Sequence, residues 1–316
     1  MPPAAPAGAG TIARTPTGQP NPDASVGIRL VDAPVSRRDD LRAHQYIVDH
    51  VKPGETIGRR IEVTNSSEVT REIALYPAAA TVEQSGFVFA PERAENELTS
   101  WIQLDRESIE LDAEQYARIW VTIDVPETAS AGERYAVVWA ETAADPNPSA
   151  NVRNVGRVGI RIYLSVGPGG EPASDFEIDR FSGERTPDGT PVVTARVRNT
   201  GGRALDLGGE LFLSDGPAGL ATGPFSVKLN TLGTGDTGTV RVPLDTRIPD
   251  GQWTARLVLA SGVTERKASG TVTFGGQSVK KAAGLRPFPL LAAAATITVL
   301  AVALFGGYTY RRRWRR

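Results

Sequence analysis

Short segments in which hydrophobic and polar residues alternate dominate the chain between residues 26 and 275. Residues 57–63, 69–75, 116–125 and 158–164 show this pattern, and turn residues separate them. Strict alternation is typical of a β-strand with one buried face, and a series of short strands with turns between them is typical of an antiparallel sandwich. Because no segment of this region carries a sustained apolar stripe at helical spacing, the pattern predicts an all-β fold.

A break in the alternation divides this region into two parts. The segment Gly167-Pro-Gly-Gly-Glu-Pro172 consists almost entirely of turn-forming residues, and a second series of alternating segments follows it. The sequence therefore predicts two tandem immunoglobulin-like β-sandwiches, at residues 26–166 and 175–275. A linker at residues 167–174 joins them.

Similar short motifs recur in the two halves and favour two tandem sandwiches over one large barrel. Val63-Thr-Asn65-Ser66 ends a predicted strand in the first half, as Val197-Arg-Asn199-Thr200 does in the second. Asn65-Ser-Ser67 also matches the acceptor motif for N-glycosylation. Its position between two alternating segments favours a hairpin turn instead.

A long apolar stretch near the C-terminus has a different pattern. Residues 288–310 run for 23 residues without a charge, and RRRWRR follows at residues 311–316. Such a stretch is long enough to cross about 30 Å of hydrocarbon as a helix, and its apolar character on all faces argues against a core helix. The five arginines predict a cytoplasmic basic tail and extracellular sandwiches. Residues 276–287 then form a basic stalk, and the protein is expected in the cell membrane with a single span.

The N-terminal segment, residues 1–25, is rich in Pro, Ala, Gly and Thr and is expected to be disordered, because it offers little apolar surface to bury. The predicted topology calls for a signal peptide, and the segment contains no apolar region of suitable length. Either a leader is missing through cleavage or misannotation, or a tail-anchored protein keeps its body in the cytoplasm. The first interpretation is preferred, because the second moves five arginines across the bilayer.

Composition excludes several kinds of chemistry. The chain of 316 residues has no Cys and two His, at positions 44 and 50. Disulfides, thiolate metal sites and cysteine nucleophiles are therefore excluded, and the two histidines are interpreted as solvated loop residues. Eight cations and no acid lie in residues 280–316, so that the rest of the chain carries an excess of acid. Nucleic acid is for this reason not expected as a partner.

Motifs of known enzymes are absent or stand in the wrong context. Gly233-Thr-Gly235-Asp-Thr-Gly238 has the glycine spacing of a dinucleotide-binding loop, but an alternating segment follows it where a helix is needed. We predict a non-enzymatic protein without a cofactor or a bound metal. A pair of carboxylates would nevertheless suffice for glycoside hydrolysis, so a cell-wall hydrolase stays open as a further hypothesis.

Aromatic and arginine side chains on the polar faces of two predicted strands form a candidate ligand site. Ile119, Val121, Ile123 and Val125 are the expected core positions of one strand, as are Ile160, Ile162 and Leu164 of the other. Exposed aromatic rings beside arginines can stack on sugars and hold carboxylates. The alternative is that these rings cover a sheet face against a loop or the second sandwich. The candidate residues are Tyr116, Arg118, Trp120, Arg161 and Tyr163.

The first half resembles the peptidoglycan-binding domain of WxL-interacting proteins over about residues 26–166. The motifs that carry the resemblance are Tyr46, Val51-Lys-Pro53-Gly54, Ile61-Glu-Val63-Thr-Asn65-Ser66, Trp101-Ile102, residues 119–126 and Ala131-Gly132-Glu-Arg-Tyr135-Ala136. The resemblance implies a surface protein of Gram-positive type that binds peptidoglycan through its first domain and holds partner surface proteins with its second. Residues 175–275 depart from that pattern and resemble a generic immunoglobulin-like module.

Two main hypotheses for function follow. The first is a membrane-anchored surface protein that binds peptidoglycan or another cell-wall polymer through its first sandwich, with the second as a spacer or docking module. The alternative is a protein-binding or chaperone-like module that accepts a strand from another surface protein by β-augmentation. The hairpin at Asn65 and exposed edge strands are the expected acceptors in that case.

Overall fold

Alternating segments form the strands of two β-sandwiches in the computed structural model of the protein, which describes residues 10–11, 26–84, 86–142 and 156–275. The predicted all-β fold is thereby confirmed. No helix within these residues is long and apolar enough to cross a membrane. The predicted stalk, membrane span and basic tail at residues 276–316 lie outside the described residues, as does most of the predicted disordered segment.

The first sandwich consists of two sheets. In chain order its strands are β1 (Gly10–Thr11), β2 (Val26–Leu30), β3 (Ile47–Val51), β4 (Thr56–Asn65), β5 (Arg71–Glu83), β6 (Gly86–Phe89), β7 (Ile102–Leu104), β8 (Ser108–Leu111), β9 (Gln115–Asp124), β10 (Gly132–Thr142) and β11 (Arg157–Val166). One sheet has the order β1-β9-β4-β2, with β7 also pairing with β9. The other has the order β3-β11-β10-β5-β6, with β8 also pairing with β5. Three short 3₁₀ helices lie at Val35–Arg37, Leu41–His44 and Thr99–Trp101.

The core of the first sandwich lies between these two sheets. The inward positions predicted on β9 and β11 are all buried, which confirms the predicted faces of both strands. Each fully buried aliphatic side chain stabilises the fold by about 1.5–3 kcal/mol relative to its exposed state. Burial on this face fixes the register, because a slip by one residue would turn every inward side chain to the outside.

The second sandwich has its own core. Its strands are β12 (Phe176–Arg185), β13 (Pro191–Asn199), β14 (Gly208–Ser214), β15 (Thr222–Lys228), β16 (Thr237–Pro243), β17 (Gly251–Ser261) and β18 (Thr264–Phe274), with a 3₁₀ turn at Pro217–Gly219. The sheets have the orders β12-β13-β16 and β15-β14-β17-β18. Trp253 is fully buried in this core, and its indole Nε1 donates to the Pro249 carbonyl at 3.2 Å.

The repeated asparagines occupy equivalent positions in the two sandwiches. The Asn65 amide donates to the carbonyls of Val69, Leu111 and Asp112, while its oxygen accepts from the backbone of Ser67. The Asn199 amide likewise donates to the three carbonyls of Arg203, Leu232 and Gly233, and its oxygen accepts from the backbone of Gly201. The motif therefore ties a strand end to two loops in each sandwich, and the buried Asn65 side chain belongs to the turn.

Candidate functional site

The three predicted site residues of β9 share the outer face of their sheet. Trp120 is 45% exposed, and its indole lies across Gly58 of β4, where a β-carbon would fall 2.5 Å from the ring. The Arg118 guanidinium lies 5.8 Å from the centre of the Tyr116 ring. This face therefore carries an exposed indole, and on the same face an arginine lies beside the Tyr116 ring.

Charged side chains of the neighbouring strands share this outer face. Glu62 is buried between two arginines, accepting from Arg29 Nε at 2.8 Å and from Arg118 Nε at 3.3 Å. Arg60 makes two hydrogen bonds to the Asp32 carboxylate through its side chain, each 2.7 Å long, and these lower the pKa of Asp32. The guanidinium groups are thus held in place by neighbouring carboxylates.

The other two predicted site residues lie on the opposite sheet and under the second sandwich. Tyr163 is completely buried, and its hydroxyl donates to Asp206 Oδ1 at 3.1 Å. Burial, followed by the negative charge of Asp206, raises the pKa of Tyr163 to about 12. Arg161 Nη1 is 3.4 Å from Thr231 Oγ1, also in the second sandwich.

The five predicted residues therefore do not form one site. Tyr116, Arg118 and Trp120 face outward from the first sheet, whereas Arg161 and Tyr163 contact the second sandwich. For Arg161 and Tyr163 the alternative interpretation is right, because these side chains cover their sheet against the second sandwich. Alternation identifies the outer face of a strand but does not show what packs against that face.

Ionic contacts connect the two sandwiches around Tyr163. Arg42 Nε donates to Asp206 Oδ2 at 2.7 Å, and the same guanidinium lies 4.4 Å from the centre of the Tyr163 ring. The backbone N–H of Ala204 donates to Glu133 Oε2 at 2.6 Å. These groups are distant in sequence, so the network could not be read from any local motif.

A second candidate site is the edge of β11. This strand pairs with β10 along its whole length, but β3 pairs with its other edge only from Ile162 to Val166. Within the described residues, no strand pairs with that other edge at residues 157–161. As far as the structure describes the chain, the first half of β11 is therefore an open edge directly beside an occupied one.

The hydrogen-bond pattern shows which backbone groups face this open edge. The Thr142 N–H donates to the Gly156 carbonyl at 2.9 Å, so the groups of residue 156 point toward β10. Alternate residues of a strand point to opposite sides, so the N–H and C=O groups of Arg157 and Gly159 point away from β10. The Gly167 N–H, of the same parity, donates to Val51 at the end of β3 at 3.0 Å, in agreement with this assignment.

Side chains around the open edge differ between its two faces. Val158 and Ile160 turn inward and pack on the first core. On the outer face, the Arg157 guanidinium lies 4.5 Å from the centre of the Trp139 ring, and the ring covers Gly159. Gly159 within the alternating segment was the sequence signal for a close approach at this point.

Backbone groups at two other positions of the first sandwich, the Asn65 hairpin and strand β9, already have hydrogen-bond partners. The Asn65 hairpin satisfies its own loop carbonyls. Along β9, Trp120 N–H donates to Asp105 Oδ1 at 2.9 Å, and Arg106 donates to the Arg118 carbonyl at 3.0 Å. The backbone groups of Arg157 and Gly159 on β11 are therefore better placed to accept a strand than those of the hairpin.

The two histidines lie in polar contacts of the first sandwich. His44 Nε2 is 2.8 Å from the Arg38 carbonyl, and His50 Nδ1 is 3.2 Å from Ser165 Oγ. Among the described residues, no group of three or more His, Asp or Glu side chains is placed to hold a metal ion.

Comparisons with known proteins give structural similarity at low identity. No family of sequences and no curated protein matches the chain. The E. coli chaperone DraB has a TM-score of 0.39 and 11% identity, covering 71% of this chain and 94% of its own. A chain of the Salmonella enterica SafA pilin–SafB chaperone complex has a TM-score of 0.41 and 11% identity, and the match covers 77% of this chain and 95% of that one. The Pseudomonas aeruginosa CupB2 chaperone has a TM-score of 0.38 and 8% identity, and the match covers 73% of this chain and 97% of the chaperone. At these values function has to be inferred from the geometry of the chain itself.

Proposed function

We propose that this chain is a non-enzymatic protein-binding module that accepts an extended segment of a partner protein on the open edge of β11. The observation that carries the proposal is the edge at residues 157–161, which no strand of the described part of the chain pairs with and which continues the edge that β3 occupies. Addition of a strand to such an edge is a common mode of peptide recognition, in which backbone hydrogen bonds provide affinity. A partner strand would extend an existing ladder.

The expected affinity of the edge follows from the groups that it offers. Each backbone hydrogen bond contributes a net 0.5–1.5 kcal/mol or so, and Arg157 and Gly159 provide two N–H and two C=O groups. Together they contribute roughly 2–6 kcal/mol, from which the cost of ordering the partner segment is subtracted. Apolar side chains packing beside Val158 have to supply the remainder.

Photo-crosslinking in the producing cells tests the proposal. A benzophenone amino acid replaces Phe89, which is 36% exposed and whose ring lies 5.7 Å from the Arg161 guanidinium beside the edge. We expect one discrete protein adduct from this position. A benzophenone at Val263, which is 71% exposed in the second sandwich, serves as the position control.

A proline and alanine pair then shows whether the adduct depends on the edge. Arg157→Pro removes an N–H that points away from β10 and leaves the β10 ladder intact, whereas Arg157→Ala removes only the side chain. We expect the Phe89 adduct to disappear with the proline variant and to persist with the alanine variant. Equal adduct yields in two folded variants would contradict strand addition.

Binding of a cell-wall polymer at the outer face of β9 is the second candidate function. The observation that favours it is the exposed Trp120 ring, which lies over Gly58 on the same outer face as Arg60 and Arg118. Aromatic rings of this kind can stack on sugar rings. Retention on insoluble peptidoglycan that falls with Trp120→Ala and persists with Val263→Ala would support it, while no retention of the unaltered protein would exclude it.

We further propose that residues 288–310 anchor the protein in the cell membrane with both sandwiches outside. The uncharged apolar stretch and the arginines after it support this topology. Proteolysis of intact cells is the test. Digestion of the sandwiches from the outside agrees with the proposal, and protection of the sandwiches until the cells are lysed contradicts it.

A further inference from the structure

Arg157 is a cation at the open edge of β11, directly opposite Glu141 of β10. Its guanidinium stacks on Trp139 at 4.5 Å, and within the part of the chain that the structure describes no carboxylate forms an ion pair with it. The nearby carboxylate of Glu141 is engaged by the Tyr76 hydroxyl at 2.5 Å and by Arg93 at 3.7 Å. The Arg157 guanidinium also hydrogen-bonds the Tyr76 hydroxyl, so its positive charge is partly shared and partly available to an incoming charge.

Arg161 places a second cation on the same face of β11. Residues 157 and 161 have the same parity, and four residues of strand separate them by about 13 Å. The Arg161 guanidinium lies 4.8 Å from the Phe87 ring and 3.6 Å from Asp206 Oδ1, so it is partly neutralised. The outer face of the edge thus carries two positive charges, each of them partly shared with neighbouring groups, and Gly159 lies between them without a side chain.

The inner face of the same edge is apolar. Val158 and Ile160 point toward the core of the first sandwich, and Ile28 of β2 packs against the same core from the opposite sheet. Val158 and Ile28 are only partly buried, so that apolar side chains of an added strand would remove more of their surface from water. Inward and outward positions of a bound strand therefore meet opposite environments.

We infer, on the basis of the proposed function, that the partner segment alternates apolar residues with polar residues that include carboxylates. Its inward residues are apolar, and two outward residues four positions apart are Asp or Glu, opposite Arg157 and Arg161. Cross-strand pairs of opposite charge are favourable, and like charges placed opposite each other are unfavourable. An added segment with lysines at the same outward positions would meet Arg157 as a like charge.

Synthetic peptides test the inference on the full chain. The acidic peptide has seven residues in which four valines alternate with glutamate, threonine and glutamate, and the basic peptide has lysines in place of both glutamates. Both carry a fluorophore for anisotropy measurements. We expect the acidic peptide to bind about five- to tenfold more tightly at low salt, with a smaller difference at 1 M salt because the edge is exposed.

Charge reversal at one residue completes the test. Arg157→Glu should shift the preference toward the basic peptide by at least about fivefold, while the matched variant Arg198→Glu, on β13 of the second sandwich, should leave it unchanged. Equal binding of both peptides that Arg157→Pro abolishes would overturn the charge preference and leave the proposed function standing. Absence of binding by both peptides, together with identical crosslinking of the proline and alanine variants, would overturn the proposed function as well.

Discussion

The Trp139 indole lies directly over Gly159, and a β-carbon on residue 159 would come within 2.6 Å of the ring. Trp139 belongs to β10 and Gly159 to the open half of β11, where the two residues are directly opposite each other. The ring also lies 4.9 Å from Phe89. This packing holds the open edge of β11 in position on its outer face without using its backbone groups.

Gly159→Ala should destabilise the first sandwich because the added methyl group forces the Trp139 ring to move. Overpacking of this kind costs about 1–3 kcal/mol. The free energy of unfolding from urea titration measures the effect. Gly167→Ala is the matched control, since a β-carbon there meets its nearest neighbour at an ordinary 3.7 Å. Equal stabilities of the two variants would show that the ring does not rest on Gly159.

Tyr163→Phe should weaken the contact between the two sandwiches. The substitution removes the hydrogen bond from the Tyr163 hydroxyl to Asp206 and keeps the buried ring. Asp206 retains its bond from Arg42, so we expect a loss of about 0.5–1.5 kcal/mol in the free energy of unfolding. Calorimetry measures it, and an unchanged unfolding temperature would contradict the assigned role of the hydroxyl.

Alkaline pH should destabilise the protein partly through the same tyrosine. Burial raises the pKa of Tyr163 to about 12 from an ordinary value of 10, so the folded state holds this proton more tightly than the unfolded state does. The resulting stabilisation is fully present below pH 10 and is lost as the pH rises from 10 to 12, by roughly 2–3 kcal/mol. Tyr163→Phe should lose less stability over this interval than the unaltered protein. An equal loss of unfolding free energy in the two proteins between pH 10 and 12 would contradict the raised pKa of Tyr163.

Replacement of Asn65 or Asn199 by Ala should have similar effects in the two sandwiches. Each substitution leaves three carbonyls without the amide that binds them, and each should cost about 2–4 kcal/mol. Urea unfolding of the two variants is the measurement. A small effect at one position and a large effect at the other would contradict the structural equivalence of the two asparagines.

Sequence pattern predicts the strand faces well and the strand environment poorly. The alternation around Ile119 and Ile162 identifies the buried faces of β9 and β11 correctly. It could not show that Tyr163 lies under the second sandwich, because that contact depends on Asp206 in a distant part of the chain. It also could not show the open edge, which depends on where β3 begins to pair at Ile47.

Strand β5 illustrates a second limit of sequence pattern. The alternation predicts a segment that ends near Leu75, whereas the strand continues through Pro77 to Glu83. Proline is unusual inside a sheet because it cannot donate a hydrogen bond. Here Pro77 lies between the part of β5 that pairs with β8, up to Ala74, and the part that pairs with β6, from Ala80. On its other side β5 pairs with β10, where Val138 lies opposite Pro77. The proline is tolerated because its nitrogen points away from β10, as do the N–H groups of Leu75 and Ala79, into the gap between β8 and β6.

Amide hydrogen exchange at residues 157–160, resolved by NMR, tests the open edge of β11 most directly. In the protein alone, the amides of Arg157 and Gly159 should exchange rapidly, while those of Val158 and Ile160, which point toward β10, should be protected. Saturation with the acidic peptide should then protect Arg157 and Gly159 selectively. Protection of all four amides in the protein alone, or rapid exchange at Arg157 and Gly159 in the saturated complex, would contradict the acceptance of a partner strand at this edge.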